Sequence, residues 1–596
     1  MKMKKSVEVA PDPQAIAEAA GTRPGSVLKA MNYENLDAEK ILTNFGTFGF
    51  YQMFVYAMAN LGFFLFACET MIFSLISEPE FECRDPELLS QTSEIQNVCE
   101  YISVESNITK YCRNFEYPNG KSATLNSEFD LVCESEANTA FFGTLKLTAE
   151  LSMSTFMLGS MIFTPILSQL ADRYGRRITY LLPLWMTVIA NVGCAMAPTY
   201  SIFLICRFIA GVGTAGIGTI GFVIILETVA PAFRSHTPLV STIIWVSGYC
   251  TVGLVHMAFE SWRVQYFILS APFLLTFSFY WLLPESLHWL VTHEKHDGVS
   301  KYIKRSTKYN RRNIDLEICR SSTTPSLEIE EEILQASSLN KKSTKDASHR
   351  NFLDILTNLP MLFQLSSHCF IMIVMNFTYW ALSLYSTDLH ENKMVGYFLS
   401  GLVELPAAAA IFALAYIGRR SVTSMALLAQ AFAMFIACFF PGKNATAMTL
   451  FLLVKVFNSV AWVAEPLLIG EMSPTSTRNM MYGIIGFVGE IGSIIAPYFN
   501  RLKTIHEAAP AMAVALMSLI AGLLALCSPE TKDKAMPEDI NDFDPGEFYH
   551  WIFGNPKSVK KNIVINASST ASEKPPLLSP PDIIVENNDL KQGVSQ

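Results

Sequence analysis

Apolar residues arrive along this chain in blocks of about 20, the length a helix needs to cross roughly 30 Å of hydrocarbon. The blocks fall near 49–77, 147–170, 178–197, 200–226, 238–259, 265–284, 361–385, 395–416, 421–440, 447–470, 481–500 and 508–528. That pattern predicts about twelve spanning helices. Three long polar stretches interrupt them: 78–140, 285–358 and everything after 529. The first block, Tyr51–Ile76, is too long for a signal-peptide core and lacks a small-residue cleavage site. It reads as a spanning helix preceded by a polar tail, residues 1–47.

Composition agrees with this pattern. Of 596 residues, 51% are hydrophobic and only 16% charged. A soluble chain of this size needs far more charge to cover its surface. No Walker loop, soluble catalytic signature or metal cluster stands out, so neither an enzyme, a cofactor nor a nucleic-acid partner is expected. Gly211-Val212-Gly213-Thr214-Ala215-Gly216 resembles a dinucleotide turn only superficially. It lies inside a span, where small residues let helices approach closely.

Charge assigns the sides. Arg173, Arg176, Arg177, Arg234, Arg419, Arg420 and Arg478 occupy the short loops after spans 2, 4, 8 and 10, and 295–350 is rich in Lys and Arg. The 78–140 stretch is acidic instead. The positive-inside rule therefore predicts cytosolic termini, a cytosolic 285–358 linker and a large extracellular loop after helix 1. Cys83, Cys99, Cys112 and Cys133 cluster in that loop, an oxidising setting that favours two disulfides, with three pairings open. Asn107-Ile108-Thr109 is an acceptor sequon in the same loop, so Asn107 is expected to carry glycan.

The chain also repeats itself. Gly175-Arg176-Arg177 recurs as Gly418-Arg419-Arg420 at an offset of 243. Glu227 followed by Arg234 recurs as Glu471 followed by Arg478 at 244. Pro284-Glu285-Ser286 recurs as Pro529-Glu530-Thr531 at 245. Three motifs sharing nearly one offset imply two parallel halves, 48–284 and 359–528, the arrangement of major facilitator transporters, which bind substrate near the midplane. The expected fold is thus an all-α membrane protein of the major facilitator type, twelve helices in two six-helix halves, followed by a largely disordered tail, 529–596. Gly permits the tight turns. The Arg residues, with Asp172, are expected to form interfacial ion pairs that hold the cytosolic side closed and are remade as the halves rock.

Further motifs carry a family resemblance over about 48–540. They include Glu128-Phe129-Asp130-Leu131-Val132-Cys133, Ala171-Asp172-Arg173-Tyr174-Gly175-Arg176-Arg177, Tyr280 to Leu290, Leu402 to Ala408 and Pro529 to Lys532. Together they resemble the organic cation and carnitine transporters, solute carrier family 22. The chain departs from that family at Ala415-Tyr416, where Asp-Arg is usual, and in having four loop cysteines where many members have six. The resemblance implies a carrier of small organic cations in the plasma membrane.

Ionisable groups inside spans are costly and mark function. Glu404 stands 14 residues before Gly418, about 21 Å from the cytosolic end at 1.5 Å per residue. Glu490 is about ten residues into span 11, or about 15 Å deep. Glu465 and Glu150 are nearer the ends, and Glu150 has Lys146 four residues before it as a partner. Two readings of Glu404 are open: contact with substrate, or pairing with Lys455. The resemblance favours Glu490, since cation-transporting relatives carry an acid at the matching position and anion-transporting relatives an Arg. Trp245 and Tyr249, one turn apart on span 5, and Tyr379, Trp380 and Tyr385 on span 7 offer aromatic faces for cation–π attraction.

The expected activity is therefore facilitative transport of small organic cations by alternating access. Rival readings are a zwitterion carrier, with Lys455 or Arg207 holding a carboxylate, and a non-transporting sensor that keeps the fold. In the tail, Glu573-Lys574-Pro575-Pro576-Leu577-Leu578 matches an acidic dileucine signal, so Glu573, Leu577 and Leu578 are a candidate sorting-adaptor site.

Overall fold

A computed structural model describes residues 36–553 except 76–78, 85–92, 98, 104–107, 113, 119, 122, 133–138, 141–144, 147, 235, 313–318, 320–351, 389, 441–443, 475–476, 533, 535–536, 538–539 and 541–542. One compact unit runs to Gly546; a second, from Glu547, is described as the helix Glu547–Phe553. Asn107, Cys133 and the dileucine residues lie outside the described residues.

The first six-helix half comprises α1 (Phe50–Met71), α2 (Ala149–Tyr174), α3 (Arg176–Met196), α4 (Tyr200–Thr228), α5 (Thr237–Ala258) and α6 (Trp262–Ser270, continued by a 3₁₀ stretch and the turn Phe279–Leu282). The second comprises α7 (Leu359–Tyr385), α8 (Lys393–Leu402), α9 (Arg419–Ala437), α10 (Ala445–Met472), α11 (Arg478–Ile495) and α12 (Ala509–Leu526). Eleven of the described segments are long and apolar enough to cross a bilayer. The twelfth, α8, is broken. Pro406 has no N–H to give and crowds the carbonyl four residues back, so the chain tightens to a 3₁₀ turn, Pro406–Ala409, before resuming as Ala410–Ile417.

The repeat seen in sequence is a repeat in backbone. Gly175 (φ 102°) and Gly418 (φ 98°) make the same turn, in a region open essentially to glycine alone. Each turn is closed by a carboxylate. Glu285 accepts from the backbone N–H of Arg176 (2.7 Å) and Arg177 (3.0 Å). Glu530 accepts from the N–H of Arg419 at 3.0 Å. An anion at the start of a helix satisfies unpaired N–H groups and complements the helix dipole.

In this structure the motif arginines find their partners within single halves. Arg176 pairs with Asp172 (2.9 Å) and Glu227 (3.4 Å), and Arg419 with Glu471 (3.0 Å). These pairs tie helices together within one half rather than bridging the two. Arg234 pairs with Glu39 at 2.6 Å, and Arg478 donates to the Ser473 carbonyl. Arg173 and Arg177 lie over the rings of Tyr174 and Tyr280, and the buried Nε of Arg420 has no hydrogen-bond partner. Turns this short bring Arg176 and Arg419 next to acids on their own bundle.

The halves meet at the opposite end, beside the loop after α1. Ser154 Oγ on α2 donates to the Ile494 carbonyl of α11 at 2.7 Å, and Arg501 pairs with Glu150 at 3.2 Å. Glu150 therefore reaches across the interface to Arg501; the Lys146 side chain lies outside what is described. A shared apolar core there joins Met71, Phe156 and Tyr249 to Trp380, Tyr397 and Phe499. At the end bearing the Gly175 and Gly418 turns, the apolar cores belong to one half or the other. The first contains the helix Ala38–Phe45, and another takes in Ile540 and Phe543 from the chain after α12. The loop after α1 adds short antiparallel ladders, including Ser93–Asn97 with Glu100–Ser103 and Ile108–Tyr111, not foreseen in an all-α reading. The Cys83–Cys112 disulfide selects one of the three pairings, and Cys99 is also disulfide-bonded.

Candidate functional site

Lys455 and Glu404 meet at 2.9 Å, both almost wholly buried. The break in α8 places Glu404 just past Leu402, where its carboxylate is released from a regular helical turn. It also accepts from the Tyr379 hydroxyl at 3.1 Å, and that hydroxyl accepts from Trp245 Nε1 at 2.8 Å. Lys455 donates to Ser400 Oγ at 2.7 Å, and the Tyr249 hydroxyl is 3.3 Å from the same oxygen. Its ammonium lies 4.9 Å from the centre of the Tyr249 ring and 5.3 Å from that of Tyr379. A buried ion pair needs such added bonds to offset the loss of water.

Of the two readings of Glu404, the pairing is the one the structure contains. The aromatic faces of Tyr249 and Tyr379 are turned to the protein's own ammonium. The cluster also joins α5 of the first half to α7, α8 and α10 of the second: Tyr397 donates to the Tyr249 carbonyl at 3.0 Å and packs at a tilt against its ring. Trp380 packs edge-on against Tyr379. Tyr385 lies at the loop end, beneath Lys503, whose ammonium donates to its hydroxyl at 3.0 Å.

Glu490 stands apart from this cluster. It sits on α11 beside Gly489, whose place against Met372 and Asn376 of α7 leaves little room for a side chain. Ser493, one turn on, is hydrogen-bonded to Asn376 at 3.1 Å and also interacts with the Glu490 carboxylate. The Oε2 atom of Glu490 is buried and has no hydrogen-bond partner among the described residues. An unpaired buried carboxylate oxygen is costly unless something else compensates it.

Two polar clusters were missed in the sequence. Glu69 on α1 is 2% exposed and Arg207 on α4 fully buried. Arg207 lies over the Phe156 ring at 4.2 Å, with no hydrogen-bond partner for its guanidinium nitrogens. Glu69 is an acid inside the first apolar block, a signal that was there to be read. On the other side, His368 of α7 meets Glu465 of α10 at 2.6 Å, both fully buried. Its signal was a single histidine in an apolar block.

The small-residue run on α4 does what its position in a span suggests. A Cβ on Gly211 would lie 1.9 Å from the Phe156 carbonyl oxygen, so α2 and α4 are in backbone contact there.

Residues 99–541 match the family described as "Sugar (and other) transporter". The chain is 27% identical over 539 residues to an organic cation transporter protein of Drosophila melanogaster, covering 85% of this chain and 94% of that one. It is 28% identical over 472 residues to solute carrier family 22 member 2 of Homo sapiens, covering 77% and 80%. A putative transporter of Caenorhabditis elegans is 27% identical over 521 residues, covering 85% and 84%. Among solved structures, the xylose transporter XylE from E. coli in an inward-open conformation superposes with a TM-score of 0.54 at 16% identity, over 81% of this chain and 98% of that one. With its paired turns, its two six-helix halves and a match across most of its length, the chain belongs to the sugar (and other) transporter family, as a multi-pass membrane transporter of the major facilitator fold and not an enzyme.

Proposed function

We propose that this protein carries small organic cations across the plasma membrane by alternating access, with Glu490 as the group that meets the cation. The observation that carries this reading is the contrast between two acids. Glu404 is compensated by Lys455 and Tyr379, whereas Glu490 has Ser493 beside it but no cation, and its Oε2 is buried without a hydrogen-bond partner among the described residues. A carboxylate in a low-dielectric cavity attracts a cation far more strongly than it does in water. Relatives named as organic cation transporters, similar over most of the chain, support the substrate class. The membrane potential is a sufficient drive, worth about 2.3 kcal/mol per charge per 100 mV.

Glu490→Gln is expected to lower uptake of a labelled quaternary amine by at least about tenfold, or about 1.4 kcal/mol, at unchanged surface level. Glu490→Arg is expected to abolish it. Wild-type uptake by Glu490→Gln at normal surface level would remove Glu490 from the site.

In the same reading the termini and the 285–358 linker are cytosolic and the loop after α1 is extracellular, with glycan on Asn107. The end at which the halves meet then faces outward, and the end bearing the Gly175 and Gly418 turns faces the cytosol. An epitope inserted at 320–345 is expected to stay dark to antibody on intact cells and to label after permeabilisation. Labelling of intact cells would reverse the sides.

A further inference from the structure

The pair His368–Glu465 takes no part in the proposed cation site, yet it is among the most deeply buried ionisable clusters of the second half. Its protonation state follows from the directions of five hydrogen bonds. Gln364 Nε2 lies 3.1 Å from the Cys527 carbonyl and 2.6 Å from the Pro545 carbonyl. Carbonyls only accept, so this end of the amide is its NH₂ and the other end, Oε1, is an acceptor. Ser528 Oγ is 3.1 Å from that oxygen and so gives it the single hydroxyl hydrogen.

Having spent its hydrogen, Ser528 Oγ can only accept from His368 Nε2, 3.0 Å away. Nε2 therefore carries hydrogen. The other ring nitrogen, Nδ1, is 2.6 Å from Glu465 Oε1, and a contact that short between two polar atoms holds a hydrogen as well. The pair thus contains one proton more than a neutral imidazole beside a carboxylate. Whether drawn as imidazolium with carboxylate or imidazole with carboxylic acid, it is neutral overall. That is the form a fully buried pair tolerates.

We propose that His368 and Glu465 form a proton-binding site, and that the proton held there is the coupling ion of transport. The inference rests on the transport reading. When the proton leaves, either two lone pairs face each other between Nδ1 and Oε1, or the ring keeps hydrogen on Nδ1 and exposes a bare Nε2 to Ser528. In the second case Ser528 must turn its hydrogen to the ring and strip Gln364 Oε1 of its donor. Gln364 is bonded to the carbonyls at the end of α12 and at Pro545, so one proton biases the contacts among α7, α10 and the end of α12. Glu465 Oε2 is buried without a hydrogen-bond partner among the described residues, and His368 compensates this carboxylate. Tyr482 from α11 feels the Glu465 charge, and the Cys527 thiol at the end of α12 is turned to the Leu523 carbonyl at 3.2 Å. Arg478 and Glu471 lie beyond Tyr482.

Two measurements test this on the purified full-length protein. The first counts protons taken up by detergent-solubilised wild type, His368→Gln, Glu465→Gln and the double variant between pH 9 and pH 5. Wild type is expected to bind one proton more than the folded double variant. Equal counts would overturn the site, and the two single variants keep the comparison available if one fails to fold. The second follows tetraethylammonium accumulation in proteoliposomes at clamped voltage. A gradient of one pH unit is expected to shift wild-type accumulation by up to about tenfold and to have no effect in His368→Gln. A gradient effect kept in His368→Gln, or absent from a transporting wild type, would overturn the coupling. If wild type carries no tetraethylammonium, the transport reading for that probe fails, and the proton count still decides the site.

Discussion

Positions 211 and 455 are equivalent in the two halves by the offset of 244 that relates Glu227 to Glu471, and they hold opposite chemistry. In the first half the position is a glycine pressed against the backbone of α2. In the second it is a lysine fully buried in a network of Glu404, Ser400 and two tyrosines. Position 404 repeats the lesson, because its equivalent at the offset of 243 is Met161, inside the unbroken α2. At the turns the halves are interchangeable down to the sign and size of φ. The repeat is retained where backbone geometry leaves one solution and diverges at the midplane. At these two positions the first half carries residues for packing and the second carries charge.

The sharpest way to break this comparison is to remove one member of the buried pair. Lys455→Met leaves Glu404 buried without its counter-charge and is expected to destabilise the protein by about 3–5 kcal/mol, read as a fall in thermal midpoint and in folded yield. Adding Glu404→Gln is expected to recover most of that loss. A double variant as unstable as the single one would show that the two do not act as a unit.

The matching change in the first half is smaller. Gly211→Ala forces α2 and α4 apart and is expected to cost about 1–3 kcal/mol, with no rescue from any charge change at Glu404. Stability equal to wild type would mean that the helices are not in backbone contact there.

The smallest expected effect tests the turns. Burial alone would raise the Glu530 carboxyl, but the N–H groups of Lys532, Ser421, Thr531 and Arg419 outweigh it and hold it below its ordinary value. A carboxyl lowered on folding stabilises above its unfolded value, about 4.3, and that contribution is lost as pH falls through the lower folded value. The thermal midpoints of wild type and Glu530→Gln should therefore differ at pH 6 and converge as pH falls below about 4.3. A gap that stays constant with pH would place the effect in packing instead.

Much of the architecture was legible without coordinates. Block length, the positions of Gly, Arg and Glu at the span ends, and the common offset determined twelve helices in two related halves. Those features depend only on the thickness of a bilayer and on local backbone rules. The pairing of each ionisable side chain was legible only as alternatives or not at all. Sequence placed Glu404 and Glu490 deep in their spans and offered Lys455 as one possible partner, but only the break in α8 and the approach of α10 made Glu404 and Lys455 a pair and left Glu490 outside it. It put Glu150 near Lys146 along the chain, whereas folding put it against Arg501. It gave Arg176 and Arg419 a part in closing the cytosolic side, and folding kept them inside their own bundles. Local rules act between residues a few positions apart. Ion pairs are decided by which helices pack, and that is a property of the whole fold.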